Sequence, residues 1–276
     1  MQTDLIHIKG KLYNFDELWI MAILNLSEDS FFQHFSGKSD ISLLNHAENL
    51  IYNGAKIIDL GAVSTRPNAI KFSTKDEIKK IGESISMIKK TFPSVLVSVD
   101  TFSEETIHFA IEEGADIIND ISGGEISELC IANIARNKLA YILTYNRGGR
   151  ENKVKEASVN NILIDSLLFF SEKLDFFAKQ NLVDVILDPG FGFNKSMEDN
   201  FKLLRQSEYL NILNKPLLFG LSRKSMIYKT LETSPDEALN GTSILNTFSV
   251  MFGANIIRVH DVVEAQQLKK LVAKLL

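Results

Sequence analysis

The chain has 276 residues, 45% of them hydrophobic and 24% charged, with 30 Lys and Arg against 35 Asp and Glu for a formal net charge of −5. That balance excludes a disordered chain, and its length can bury a full core. A single cysteine, Cys130, excludes a disulfide framework or a cysteine-rich metal site. No apolar run is long enough to span a membrane, MQTDLIHIKGK is no secretory signal, and the absence of clustered Lys and Arg argues against nucleic acid.

The N-terminal LIHIKGKLY reads as two short alternating segments around Lys9-Gly10-Lys11, a hairpin within residues 1–15 that could cover one end of the main fold. Short Val- and Ile-rich runs then alternate with amphipathic stretches. Strands are predicted at 19–27, 56–61, 95–100, 116–121, 140–145, 184–189, 216–220 and 256–260. Helices are predicted between them, including 42–55, 103–115 with Ser103 as N-cap, about 154–179, and a C-terminal stretch ending in VVEAQQLKKLVAKLL. Eight strands with helical partners predict an α/β (β/α)8 barrel. No linker divides the chain, so residues 1–276 are assigned to one domain.

The polar residues sit where those strands end. Asn25, Asp59, Asp100 and Asp188 close their strands, Asn119 and Asp120 lie late in another, and Arg258 and His260 close the last. In a barrel these ends converge on the face where the loops build a site. A carboxylate in an apolar run is costly unless paired, so several on one rim imply a polar cavity. Alternation sends Asn119 and Asp120 to opposite faces, with Asn119 expected inside. Asp59 is read as a brace for the loop that follows it.

Cationic and hydroxyl groups lie in the loops. Thr65, Arg66 and Pro67 follow the second strand, and Arg223, Lys224 and Ser225 follow the seventh, where a helix is expected to begin. Arg66, Lys224, Arg258 and His260 make an anion site, whereas Arg223 reads as a rim salt bridge. In DPGFGFNKS (188–196) the glycines allow a turn close to a ligand. Either Phe191 or Phe193 can supply an aromatic wall while the other packs. No Ser–His–Asp or Cys–His arrangement is evident, so the chemistry reads as positioning and electrostatic stabilisation of a leaving group.

MAILNLSEDSFF (21–32), GAKIIDLGAVSTRPNA (54–69), VSVDTF (97–102), GADIINDISGG (114–124), DVILDPGFGFNKS (184–196), PLLFGLSRKS (216–225) and GANIIRVHDVVEA (253–265) together resemble the pterin-binding dihydropteroate synthases. The resemblance implies condensation of 6-hydroxymethyl-7,8-dihydropterin diphosphate with 4-aminobenzoate. It implies that Asp100, Asn119, Asp188 and Lys224 hold the pterin, and that Asn25, Arg66, Arg258 and His260 meet the diphosphate. Mg²⁺ would lie at Asn25. Thr65, Arg66, Pro67, Phe193 and Ser225 would surround the aminobenzoate, and Asp100, Lys224, Arg258 and His260 would be catalytic. The resemblance also implies a cytoplasmic homodimer, inhibition by sulfonamides, and association or fusion with the pyrophosphokinase that precedes it in folate synthesis.

The chain departs from the family pattern at Ala22, Ser27 and Glu28, in a missing Gly-Gly after Phe31, and at Thr144-Tyr145 in place of Met-His. Two further readings share the motifs: a pterin-binding paralogue without synthase activity, and a methyltetrahydrofolate–corrinoid methyltransferase. The second needs no STRP or SRK anion machinery.

Overall fold

The computed structural model describes residues 5–26, 39–61, 74–146, 149 and 161–275. The predicted Thr65, Arg66 and Pro67, and the altered positions Ser27 and Glu28, lie outside them.

Strand β1 (Leu5–Ile8) pairs antiparallel with β2 (Lys11–Asn14). Lys9 and Gly10 turn the chain with φ of 50° and 77°, the paired positive values of a tight hairpin loop. The remaining strands are β3 (Trp19–Asn25), β4 (Ile57–Gly61), β5 (Leu96–Asp100), β6 (Ile117–Asp120), β7 (Ala140–Thr144), β8 (Val185–Asp188), β9 (Leu218–Phe219) and β10 (Ile256–Val259). They form one eight-stranded sheet, and each pair within it is parallel. A parallel bridge from Leu187 to Leu217 joins its two ends, giving the barrel that the strand pattern predicts. Strand β9 is shorter than the predicted 216–220: Pro216 has no N–H to donate to the ladder, and the Leu217 N–H goes to Asn255 Oδ1 at 2.8 Å.

Helices α1 (Ser39–Tyr52), α2 (Thr74–Thr91), α3 (Glu104–Glu112), α4 (Glu128–Arg136), α5 (Ile162–Lys179), α6 (Met197–Arg205), α7 (Ser225–Tyr228), α8 (Leu239–Met251) and α9 (Val262–Val272) lie in the crossovers and after β10. Their starts follow side-chain capping where a small polar residue precedes them. Ser103 accepts from Thr106 N at 3.3 Å, and Asn161 accepts from Leu163 N at 3.0 Å, so α5 begins well after the predicted 154.

Side-chain alternation along the strands divides the apolar residues into two layers. Ile58, Leu60, Val97, Val99, Ile118, Leu143, Leu187 and Phe219 pack outward under the helices. Met21, Ile57, Leu96, Ile117, Ile142, Ile186, Leu218 and Ile256 fill the barrel's interior with Trp19, and Ile6 and Ile8 of the hairpin cap that plug. The hairpin therefore closes the end opposite the polar rim. Ile6 is 2% exposed whereas Leu12 is 51% exposed. Ile6→Ala is expected to cost about 2–4 kcal/mol in urea unfolding. Leu12→Ala should change it by less than about 0.5 kcal/mol. Equal effects would mean that the hairpin does not seal the barrel.

Candidate active site

The same alternation continues above the apolar plug, so the inward positions become polar toward the strand ends. In register, Asp59 of β4 lies beside Ser98 of β5, Gly61 beside Asp100, and Asp100 beside Asn119 of β6. Asp188 of β8 lies beside Thr144 of β7. Arg258 enters from β10 on the other side of the barrel.

Arg258 joins three strands. Its Nε donates to Asp59 Oδ2 at 2.7 Å, and its Nη2 donates to Asp100 Oδ2 at 2.8 Å. Asn119 Nδ2 donates to the same Asp59 oxygen at 3.1 Å. Asp59 is therefore part of the polar cluster and fully buried; the loop that its place in the sequence suggests it braces lies outside the described residues. Burial works against the Arg258 charge, but Asp59 and Asp100 outweigh it and raise the guanidinium's pKa. Burial pushes the Asp100 carboxyl up to about 7, although Arg258 pulls it down. Among the described residues, Asn119 Oδ1 and Asp59 Oδ1 are buried without a hydrogen-bond partner. A group carrying N–H donors would satisfy them.

Asp188 and Lys224 form the opposite wall. Asp188 Oδ1 accepts from Gly190 N at 2.8 Å, and burial raises its pKa despite the nearby Lys224. Burial also lowers Lys224 to about 8, with Asp188 and Asp100 opposing. Lys224 Nζ donates to the Phe191 carbonyl and sits 5.0 Å from the centre of the Phe193 ring. Phe193 is thus the aromatic wall, because Phe191 is fully buried against Phe219.

The loop carrying these groups is held from below. Lys195 Nζ donates to the carbonyls of Tyr145 at 2.8 Å, Gly190 at 2.7 Å and Phe193 at 3.2 Å. Gly190 has a φ of 66°, and a Cβ there would lie 2.2 Å from the Tyr145 oxygen, so only glycine fits. Asp120 faces outward, as alternation predicts. It accepts from Tyr141 Oη, from Ser122 N at 2.6 Å and from Gly124 N at 3.2 Å, which shapes the loop after β6.

A helix begins after β9, as expected. Helix α7 is a single turn without a side-chain cap, so it supplies no extended helix end for an anion. Arg223 turns away with a φ of 56° and forms a forked pair with Asp261 at 3.0 and 2.7 Å, the rim salt bridge that its position suggests. Ser225 begins α7. His260 Nδ1 lies 2.9 Å from Ser222 Oγ. Asn25 ends β3 against Gly61, where a Cβ would approach its Oδ1 to 3.1 Å. The site therefore offers hydrogen-bonding carboxylates and an amide within the barrel, with Lys224, Arg258 and His260 near its mouth.

Two partnerships were hard to find from sequence. Asp59 shares the inward parity of Ile57, but its partners depend on the stagger between strands. Ser222 opens the SRK motif, yet nothing in that motif signals its contact with His260.

A model of the pterin binding enzyme family matches residues 21–260. The dihydropteroate synthase of Bacillus subtilis is 34% identical, the match covering 100% of this chain and 95% of that protein. The folic acid synthesis protein fol1 of Pneumocystis carinii is 36% identical over 92% of this chain, which spans only 35% of that longer protein. A crystal structure of the Yersinia pestis dihydropteroate synthase in a sulfonamide drug complex superposes with a TM-score of 0.88 at 29% identity, covering 98% of each chain.

The central ion cluster carries a stability prediction. Arg258→Met leaves Asp59 and Asp100 facing each other without their cation, and is expected to cost about 3–5 kcal/mol in urea unfolding. Breaking the rim pair with Arg223→Met should cost about 1 kcal/mol or less. The reverse order would place the structural charge cluster at the rim.

Proposed function

The chain belongs to the dihydropteroate synthases, the pterin-binding transferases of folate biosynthesis, and from that membership we propose how its residues divide the reaction. The substrates are 6-hydroxymethyl-7,8-dihydropterin diphosphate and 4-aminobenzoate, and the products are 7,8-dihydropteroate and pyrophosphate. The observation that carries the division is the buried Asn119 and Asp188, with the half-buried Asp100 beside them and unsatisfied acceptors on Asn119 and Asp59, beneath the cations Lys224 and Arg258.

The pterin ring is the nitrogen-rich end of the first substrate. Asp188 accepts its N–H groups, Asn119 contributes the amide, and Lys224 donates to ring acceptors. Its methylene carbon carries the diphosphate. The aryl amine is a weak nucleophile, so the C–O bond to diphosphate breaks ahead of C–N bond formation, and the departing oxygen keeps the electron pair. Arg258, His260 and Arg66 stabilise that leaving charge, while Asp100 faces the positive charge that develops on the pterin. The amine then attacks the methylene and releases its proton to solvent. Thr65, Arg66, Pro67, Phe193 and Ser225 form the aminobenzoate's surroundings, the first three outside the described residues.

Mg²⁺ is the proposed metal. The described residues contain no group of three or more His, Cys, Asp or Glu able to hold an ion. Magnesium bound mainly by diphosphate and water needs only one or two protein ligands, and the oxygen of Asn25 at the end of β3 fits that donor set. When bound, it would neutralise charge on the leaving diphosphate.

The exposed apolar face of α8, with Ile244, Phe248 and Met251 each 48–49% exposed, supports a homodimer. The longer fol1 relative supports fusion or association with the pyrophosphokinase step, and metabolite substrates support a cytoplasmic location. Sulfonamides, as mimics of the second substrate, are proposed to compete with 4-aminobenzoate.

Two measurements test this division. Dihydropteroate formation should proceed at about 0.1–10 s⁻¹ with Mg²⁺. It should collapse with EDTA and in Asp188→Ala; folded protein without turnover would contradict it. The pH profile of kcat/KM should be narrow. Activity should fall below about 7 as Asp100 takes up a proton, and above about 8 as Lys224 loses one. A flat profile from pH 6 to 9 would remove these groups from the essential set.

A further inference from the structure

Ser222 lies just after β9, is 6% exposed, and meets His260 at two points. Its Oγ accepts the His260 backbone N–H at 3.3 Å and stands 2.9 Å from His260 Nδ1. A serine hydroxyl has one proton and two acceptor lone pairs. The backbone N–H occupies a lone pair, so the hydroxyl proton remains to be placed. Among the described residues, its one available acceptor is Nδ1 of the same histidine. Were Nδ1 to carry a proton as well, two donors would meet one oxygen, and the buried hydroxyl proton would be left without an acceptor.

We propose that Ser222 is a positioning residue that locks neutral His260 in the Nε2–H tautomer, so that the ring presents a donor on the face of β10 shared with Arg258. One contact anchors the histidine's backbone and the other orients its ring. The neighbouring forked pair between Arg223 and Asp261 holds the flanking backbone of the same two segments, so Ser222 and His260 are clamped at a constant separation. An Nε2–H group so held is a donor aimed by its second nitrogen, the arrangement by which a histidine's role is set from behind. Its service to the departing diphosphate rests on the synthase reading; the tautomer does not.

The test uses full-length protein labelled with ¹⁵N- and ¹³C-histidine, observed by NMR at a pH above the ordinary imidazole range. The His260 signal is assigned by its loss in His260→Gln. The wild type should show a single Nε2–H tautomer. Ser222→Ala should relax it toward the mixture of a free imidazole, and Ser222→Thr should restore it. In parallel, Ser222→Ala should raise KM for the pterin diphosphate about threefold to tenfold, the worth of one hydrogen bond, and leave KM for 4-aminobenzoate unchanged. A mixed or Nδ1–H tautomer in the wild type overturns the proposal, as does an unchanged ring spectrum in a folded Ser222→Ala. Because the wild-type spectrum needs no turnover, failure of the synthase reading would leave this result standing on its own.

Discussion

The site depends on one buried cation. Arg258 is anchored by Asp59 from β4 and Asp100 from β5, and Asn119 from β6 joins the same Asp59 oxygen. Burying any one of these groups alone would be strongly unfavourable, and each is tolerated because the others are present. The cluster ties one side of the barrel to the other at the level where the apolar plug ends. It also limits which oxygens are left over. Arg258 and Asn119 together consume Asp59 Oδ2, and the remaining acceptors, Asp59 Oδ1 and Asn119 Oδ1, stay buried and unsatisfied. A cavity built this way has an electrostatic demand for donors before any ligand arrives.

Around that cluster, the loop after β8 provides the second half of the site through backbone constraint. Lys195 gathers three carbonyls, and Gly190 lets the chain pass close to the Tyr145 oxygen. Their joint effect is to hold the loop carrying Asp188 and Phe193 still, with one Asp188 oxygen tied to the Gly190 N–H. Lys224 is then placed between Asp188 and the Phe193 ring. Preorganisation of this kind matters for a reaction in which the protein contributes position and charge and forms no covalent intermediate.

Much of this was legible in the chain. Runs such as VLVSVD and DVILDP are mostly aliphatic because parallel barrel strands are buried on both faces, and an Asp at the strand's end stands out against them. That contrast located Asp100 and Asp188, and alternation separated Asn119 from Asp120. Asp59 stood on the predicted rim, but its pairing with Arg258 was not legible, because its neighbours are set by the stagger between β4, β5 and β10, which no single strand encodes. The helix start that SRKSM signals is present at Ser225, in a helix of a single turn.

The central claim is that the buried carboxylate of Asp188, held opposite the Arg258 cluster, recognises a pterin. Calorimetric titration of the pterin diphosphate into wild type and Asp188→Asn, both shown to be folded, tests it most directly. The account predicts one site per chain, with affinity weakened about tenfold or more in the variant through loss of hydrogen bonds to a charged acceptor. Equal affinity in the two proteins would contradict it, and would move pterin recognition away from the barrel's inner wall.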